Sequence, residues 1–432
     1  MPTGRGECGM EMKWIVLALA ALMYVFVVIF PSKKHWISLG AGALVIVIGA
    51  VPAAHALLTL INWNILGIYI GSLIIAELFL YSRVPNRLAD TIIDSMPNTG
   101  SAITAVLIMT GIISAFVENV ATVLVMAPIA LSVCKKLRIT PVYFMTGLAV
   151  MANLQGTATL VGDPPSMIFA SYAGYGFNDF FVYQGRMSIF FVVQAGMIAG
   201  ALYFYLYFAK AGKQKIKVER APVLSLFPTV LLLVMIAALA FCSFFHIEHS
   251  GLIVLLLGVG GLLWFYLLRK EGLRKTAVLV KELDWETIGF LIGIFVVIGT
   301  ISETGLLEDF ALFLRGIIGD NKIAGFFVII FVSVLISGFV DNVPYIIVML
   351  PVAATLAQDM GLKSELYMFA LLVGSCMGGN LTPFGASANI AAMGILKKHD
   401  CPLSFAGWCK IGVPFTLITT ASAALVLWLL WS

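Results

Sequence analysis

The chain has 432 residues, of which 61% are hydrophobic and only 11% charged, with a mean hydropathy of +1.03 and a net charge of +4. A soluble domain carries roughly 25% charged residues, so a soluble enzyme and a nucleic-acid-binding protein are both excluded. The basic residues sit in short loops between apolar runs, where they set membrane orientation, and runs long enough to cross a ~30 Å hydrocarbon core recur from end to end.

Ten spans are predicted in chain order, at 14–31, 36–60, 63–81, 141–172, 187–209, 223–245, 250–268, 285–304, 365–397 and 408–431. Two re-entrant hairpins are predicted at 101–134 and 323–358. The first run, Trp14–Phe30, leads into Pro31-Ser-Lys-Lys rather than a small-residue cleavage site, and reads as a span and not a removable signal. The loops 32–35, 82–100, 135–140, 210–222, 269–284 and 398–407, with their flanks, hold 20 of the 26 Lys and Arg residues, Lys34 among them. That side is predicted to be cytoplasmic, in the inner (plasma) membrane, with both termini outside. The six cysteines are scattered without a C-x-x-C pair, so no disulfide framework or metal site is expected.

The polar stretch 210–222 divides the chain into a first repeat, 1–209, and a second, 223–432. Residues 114–128 (SAFVENVATVLVMAP) and 337–351 (SGFVDNVPYIIVMLP) are identical at eight of fifteen positions, at a constant offset of 223. The same offset aligns Gly156, Thr159 and Gly162 with Gly379, Thr382 and Gly385. Trp63, Gly67 and Gly71 match Trp285, Gly289 and Gly293 at offset 222. Each half then holds five spans and one hairpin. An odd number of spans turns the second half upside down, the inverted-repeat plan of secondary transporters with a site at the midplane. The predicted fold class is therefore all-α integral membrane, with two inverted repeats of five transmembrane helices plus a hairpin each, and broken helices at the midplane.

Four acids fall within apolar segments: Glu77, Glu118, Asp163 and Asp341. Each costs roughly 2.5–3.5 kcal/mol at a helix centre on insertion scales. Glu77 lies near a span end, within reach of Arg83 or the interface, and carries less weight. Glu118-Asn119 and Asp341-Asn342 lie midway along their hairpins and are placed at the tips, where non-helical backbone is tolerated beside protein or a water-filled cavity. There the acids act as helix caps, as cation or proton sites, or as both. Each half also has a predicted broken helix, 141–172 and 365–397. Gly156-Thr-Ala-Thr-Leu-Val-Gly-Asp-Pro-Pro165 and Gly378-Gly-Asn-Leu-Thr-Pro-Phe-Gly385 cannot stay regular. Gly156, Gly162, Gly379 and Gly385 serve as backbone hinges. Thr157, Thr159, Asn380, Thr382, Ser387 and Asn389 supply the oxygen and amide groups that hard cations and hydroxylated solutes take. If Na⁺ is the solute or the coupling ion, Glu118, Asn119, Asp341 and Asn342 are its expected ligands. No Lys, Arg or His falls in the inner parts of these four elements, which points away from a polyanion.

These motifs resemble the arsenite-permease/sodium–proton antiporter (ArsB/NhaD) branch of the ion transporter superfamily. The resemblance rests on FVENVATVLVMAPI at 116–129, GTATLVGDPPSMI at 156–168, FVDNVPYIIVMLP at 339–351 and GGNLTPFGASANI at 378–390. It implies that tips and broken helices form the site, that they move as an elevator against a scaffold, and that the protein is a homodimer. For the arsenite permeases it also implies association with an efflux ATPase. Dicarboxylate–sodium symporters of the wider superfamily carry Ser-Asn-Thr at the tips. Here the triplets are Glu118-Asn119-Val120 and Asp341-Asn342-Val343.

The expected function is proton-coupled antiport, exporting an inorganic solute (arsenite/antimonite or Na⁺), with no cofactor beyond the coupling ion. The alternative is sodium-coupled symport of an anion, dicarboxylate or sulfate. No H-E-x-x-H, G-x-S-x-G or phosphate-binding loop occurs, and no enzyme activity is expected.

Overall fold

The computed structural model describes residues 4–209, 215, 220–304, 306–318 and 321–432. Most of the linker 210–222, and with it the expected division between repeats, lies outside the described residues. The chain is a helical membrane protein. In order, α1 (Gly4–Ile29), α2 (Lys34–Val47), α3 (Ala53–His55), α4 (Trp63–Tyr81), α5 (Val84–Ser95), α6 (Thr99–Ser114), α7 (Asn119–Leu137), α8 (Val142–Gly156), α9 (Pro164–Ala173) and α10 (Ile189–Phe208) precede the linker. After it come α11 (Phe227–Phe244), α12 (Ser250–Leu263), α13 (Gly272–Glu282), α14 (Trp285–Glu303), α15 (Leu306–Ile318), α16 (Lys322–Ser337), α17 (Asn342–Asp359), α18 (Ser364–Gly378), α19 (Ser387–Lys398) and α20 (Phe405–Trp431). A two-residue β-hairpin, β1 (Val182–Tyr183) with β2 (Arg186–Met187), lies between α9 and α10.

Seven of the described helical stretches are long and apolar enough to cross a bilayer alone. The rest of the count differs from the sequence expectation in two ways. The span expected at 36–60 is not one helix: α2 stops at Val47, Gly49 turns at φ +78°, and the chain resumes at α3 after Pro52. Hydropathy sums over a window and does not register one left-handed glycine followed by a proline without an amide donor. Segments expected to be loops, at 82–100 and 269–284, contain the helices α5 and α13, and α15 lies between the expected span 285–304 and the expected hairpin 323–358. Their alternation of apolar and charged residues follows the helical period, as suits a helix lying along a surface; it makes α5 and α13 far less apolar than a span, whereas α15 is apolar but only 13 residues long.

Within the segments 101–134 and 323–358 the chain runs helix, turn, helix, and the second arm α7 is itself long and apolar enough to cross a bilayer. Their first arms, α6 and α16, have 16 residues each. At 1.5 Å per residue that is about 24 Å, short of the ~30 Å hydrocarbon core. The chain turns at Ala115–Glu118 and Gly338–Asp341, then begins α7 and α17. Helices α8 and α18 end at Gly156 and Gly378, and their continuations start at Pro164 and Ser387. Pro164-Pro165 opens α9, where a missing amide donor costs no hydrogen bond. Helices α4 to α9 and α14 to α19 recur with starts 222 or 223 residues apart.

Contacts cross between the halves. Helix α4 lies on α12 and α14 lies on α2. Both crossings are made through glycine. A Cβ on Gly71 would stand 2.5 Å from the Val254 carbonyl oxygen, and one on Gly67 would stand 2.8 Å from that of Gly251. On the other side Gly42 faces Gly293, and Gly293 abuts the Ser38 backbone. Small residues permit such backbone approach, the source of helix association in lipid, where no hydrophobic drive exists. Replacing Gly71 by Val should therefore cost about 1–3 kcal/mol of overpacking and lower the melting temperature in detergent. Gly260→Ala, on α12 but with nothing within 4 Å of the added carbon, should leave it unchanged.

Candidate transport site

The two tips and the two breaks meet around one cavity of about 540 Å³. Glu118, Asn119, Asp163, Asp341, Asn342, Gly385 and Ser387 line it. Each acid is placed by a helix start. Glu118 caps α7, its Oε2 accepting the Ala121 amide at 2.8 Å. Asp341 caps α17, its Oδ1 accepting the Val343 amide at 3.1 Å. Asp163 stands just before α9 in an extended conformation, without a side-chain cap bond. Helix starts carry partial positive charge, so α7, α9 and α17 hold carboxylates where the backbone favours them. The start of α19 follows Ala386, which offers no side-chain cap.

The other expected residues stand behind this wall. The Thr159 hydroxyl donates to the Ala115 carbonyl, and the Thr382 hydroxyl donates to the Gly338 carbonyl, each tying a break to the tip 44 residues before it. Asn389 donates to the carbonyls of Gly379 and Thr382, both at 2.9 Å, and so closes the second break on itself. Asn380 donates to the Val150 carbonyl at 3.2 Å, and its own carbonyl takes the Trp408 indole at 3.1 Å. Thr157 is fully buried. The hinge glycines make room for these ties. A Cβ on Gly156 would strike the Asn119 amide, one on Gly385 would stand 2.6 Å from the Gly379 carbonyl oxygen, and one on Gly379 would stand 2.9 Å from that of Gly385. At Gly162 the added carbon would meet the Ala115 carbonyl oxygen at 3.0 Å.

Further residues that the sequence did not single out join the site. Asn153 of α8 accepts from Asn119 at 3.4 Å and donates to Asn380 and Asn389 at 3.0 Å each, linking the first tip to the second break. Asp284 caps α14 through the Thr287 amide at 3.0 Å and accepts from the Tyr69 hydroxyl at 3.1 Å. Lys34, the first residue of α2, donates to Asp341 Oδ2 at 2.8 Å. Asp284 was legible in principle: it precedes Trp285 as Asn62 precedes Trp63, and both cap their helices. Lys34 carried no such signal, because it counted among the loop charges that set orientation.

The cavity wall thus presents Glu118, Asp163, Asp284, Glu286 and Asp341 against one described basic residue, Lys34. A smaller neighbouring cavity of about 270 Å³ shares Lys34, Glu118, Asp284 and Glu286, and adds Glu77 and Glu282. The chemistry is that of a negatively charged, oxygen-rich chamber. No cysteine is among its described lining residues; Cys376 is buried outside it.

A family model described as citrate transporter (CitMHS) matches residues 24–374. The chain belongs to the CitMHS family. It is 30% identical to an uncharacterized transporter of Mycobacterium bovis, over 97% of this chain and 98% of that protein. It is 29% identical to a 46 kDa membrane protein of Mycobacterium leprae, over 96% and 98%. The human P protein is 22% identical, over 96% of this chain and 59% of that protein. Among solved structures, the Alcanivorax borkumensis YdaH transporter aligns with a TM-score of 0.62 over 96% of this chain and 97% of its own, at 11% identity. Neisseria gonorrhoeae MtrF, presented as illuminating a class of antimetabolite efflux pumps, aligns at 0.56 over 89% and 84%, at 14% identity. At such identities the likeness is one of fold. This CitMHS chain is a membrane transporter.

The asparagine linkage yields a direct test. Asn153→Leu would leave the amide oxygens of Asn380 and Asn389 without their shared donor in a buried setting. Each orphaned group costs about 1–3 kcal/mol, so the variant should melt earlier in detergent than the wild type.

Proposed function

We propose that this CitMHS protein is a secondary active transporter that exchanges protons for a small inorganic solute, with Na⁺ the solute its chamber fits best. The observation carrying this is the lining of the cavity by five carboxylates and one lysine. Hard monovalent and divalent cations take carboxylate and carbonyl oxygen. In this reading Glu118 alternates between proton and cation, and Asp341, Asn119 and Asn342 complete the cation's shell. Asp163 and Ser387 face the same space. Arsenite or antimonite, as a neutral hydroxylated solute, would draw on the same oxygens but would find no thiol among the described lining residues.

The basic-loop bias supports placement in the inner membrane with both termini outside. The contacts support an elevator. Helices α2, α4, α12 and α14 pack together as a scaffold, while the hairpins, broken helices, α10 and α20 pack as a second body. Helices α5 and α15 touch both groups and are the natural connectors. A homodimer is expected to hold the scaffold still.

A second reading, sodium-coupled symport of a carboxylate, is favoured by the family description and by Lys34. Five wall carboxylates oppose it, unless cations enter with the anion.

Purified protein in proteoliposomes carrying a pH dye separates the two. Na⁺ pulses should collapse an imposed proton gradient, and labelled citrate or succinate should not accumulate on a Na⁺ gradient. Accumulation of either carboxylate without proton exchange would overturn the antiport reading. Asp341→Asn, inserted and folded, should lower exchange about tenfold or more, an increment of about 1.4 kcal/mol or greater in the barrier. Undiminished exchange in that variant would remove Asp341 from the mechanism.

A further inference from the structure

The Lys34–Asp341 pair joins two parts of the molecule. Lys34 opens α2, whose Ser38 backbone is pressed against Gly293 of α14. Asp341 sits at the tip of the hairpin α16–α17. The side chains are 13% and 29% exposed, so the pair lies mostly out of water. Both Asp341 oxygens are engaged, Oδ1 by the Val343 amide and Oδ2 by Lys34.

The matching tip differs. Glu118 accepts the Ala121 amide, and among the described residues no Lys or Arg pairs with it. The element corresponding to α2 in the second half is α12, which opens with Ser250 instead of a lysine. Its hydroxyl accepts from Asn64 at 3.3 Å. One tip therefore carries a built-in counter-cation and the other is open.

An incoming cation cannot share the Asp341 carboxylate with an ammonium in contact, because like charges at that range repel strongly outside bulk water. Simple loss of the lysine would leave a buried charge uncompensated. Exchange of one cation for another avoids both costs. The released ammonium has somewhere to go. Its Nζ already lies 5.4 Å from the Phe290 ring centroid, and Asp284 and Glu286 line the same cavity. An aromatic face and nearby carboxylates are a favourable setting for an ammonium.

We propose that Lys34 is a tethered counter-cation, which neutralises Asp341 while the carrier is empty and is displaced when a small cation binds there, untying the hairpin α16–α17 from α2. This rests on the cation-transport reading above, and it makes Lys34 a positioning residue that sets cation affinity. The cation itself then acts as the key for hairpin movement.

Equilibrium binding of ²²Na⁺ to purified protein in detergent tests it. Lys34→Gln and Lys34→Met should bind Na⁺ about tenfold more tightly or better, equal to about 1.4 kcal/mol. Lys34→Arg should bind like the wild type. The double variant Lys34→Gln/Asp341→Asn should lose the gain. Unchanged or weaker binding in both single variants, or a gain that persists in the double variant, overturns the proposal. Where neither single variant folds, hydrogen exchange on the wild type decides. Adding Na⁺, Li⁺ or K⁺ should speed exchange at residues 32–36, and no change with any of the three overturns it. Absence of proton–sodium exchange in wild-type proteoliposomes would sink the functional reading alone. Tighter Na⁺ binding in the lysine variants would still stand by itself.

Discussion

Hydrocarbon supplies no hydrogen bonds, and every interruption of a helix inside a bilayer has to be satisfied from within the protein. The molecule interrupts four helical paths around one cavity, two at tips and two at breaks. It resolves the resulting free carbonyls by pairing each break with the tip of its own half. Thr159 reaches the Ala115 carbonyl and Thr382 reaches the Gly338 carbonyl, the same bond made twice. The glycines beside these bonds let two irregular backbones approach to contact. Without such ties the acids at the tips would have no fixed positions.

The tips and breaks were legible because their residues violate local rules. An acid in an apolar run, or a Gly-Pro cluster in a helix, stands out against the background and does so at matching positions in both halves. The unread parts of the fold failed for an opposite physical reason. Gly49 and Pro52 interrupt α2 within uniformly apolar sequence, where a window average sees nothing. Helices α5, α13 and α15 alternate in polarity; α5 and α13 are less apolar than a span, and α15 is too short to be one. At the site, the acids and amides of the four irregular elements were found from sequence, whereas Lys34, Tyr69, Asn153 and Asp284 were not. They come from regular helices or from helix starts, and only three-dimensional packing brings them to the cavity.

The chamber also divides its labour unevenly. The halves share elements, but the first break contributes the acid Asp163, where the second has Ala386 and the open start of α19. Asn153 of the first half bridges to Asn380 and Asn389 of the second, while the equivalent position in α18 is Cys376. Duplicated architecture thus frames a site that is chemically one-sided.

The glycine crossings carry a consequence for biogenesis. Helix α4 leaves the ribosome long before α12, the helix its glycine face fits, since Gly71 and Ser250 are separated by 250 − 71 = 179 residues. At about 5–20 residues per second, α4 spends on the order of ten to forty seconds in the bilayer with that face turned to lipid. Neither glycine crossing can close within one half, because each joins a helix of the first half to a helix of the second. The newborn chain must therefore remain loosely assembled, or be held by the insertion machinery, until its second half arrives to close both crossings together.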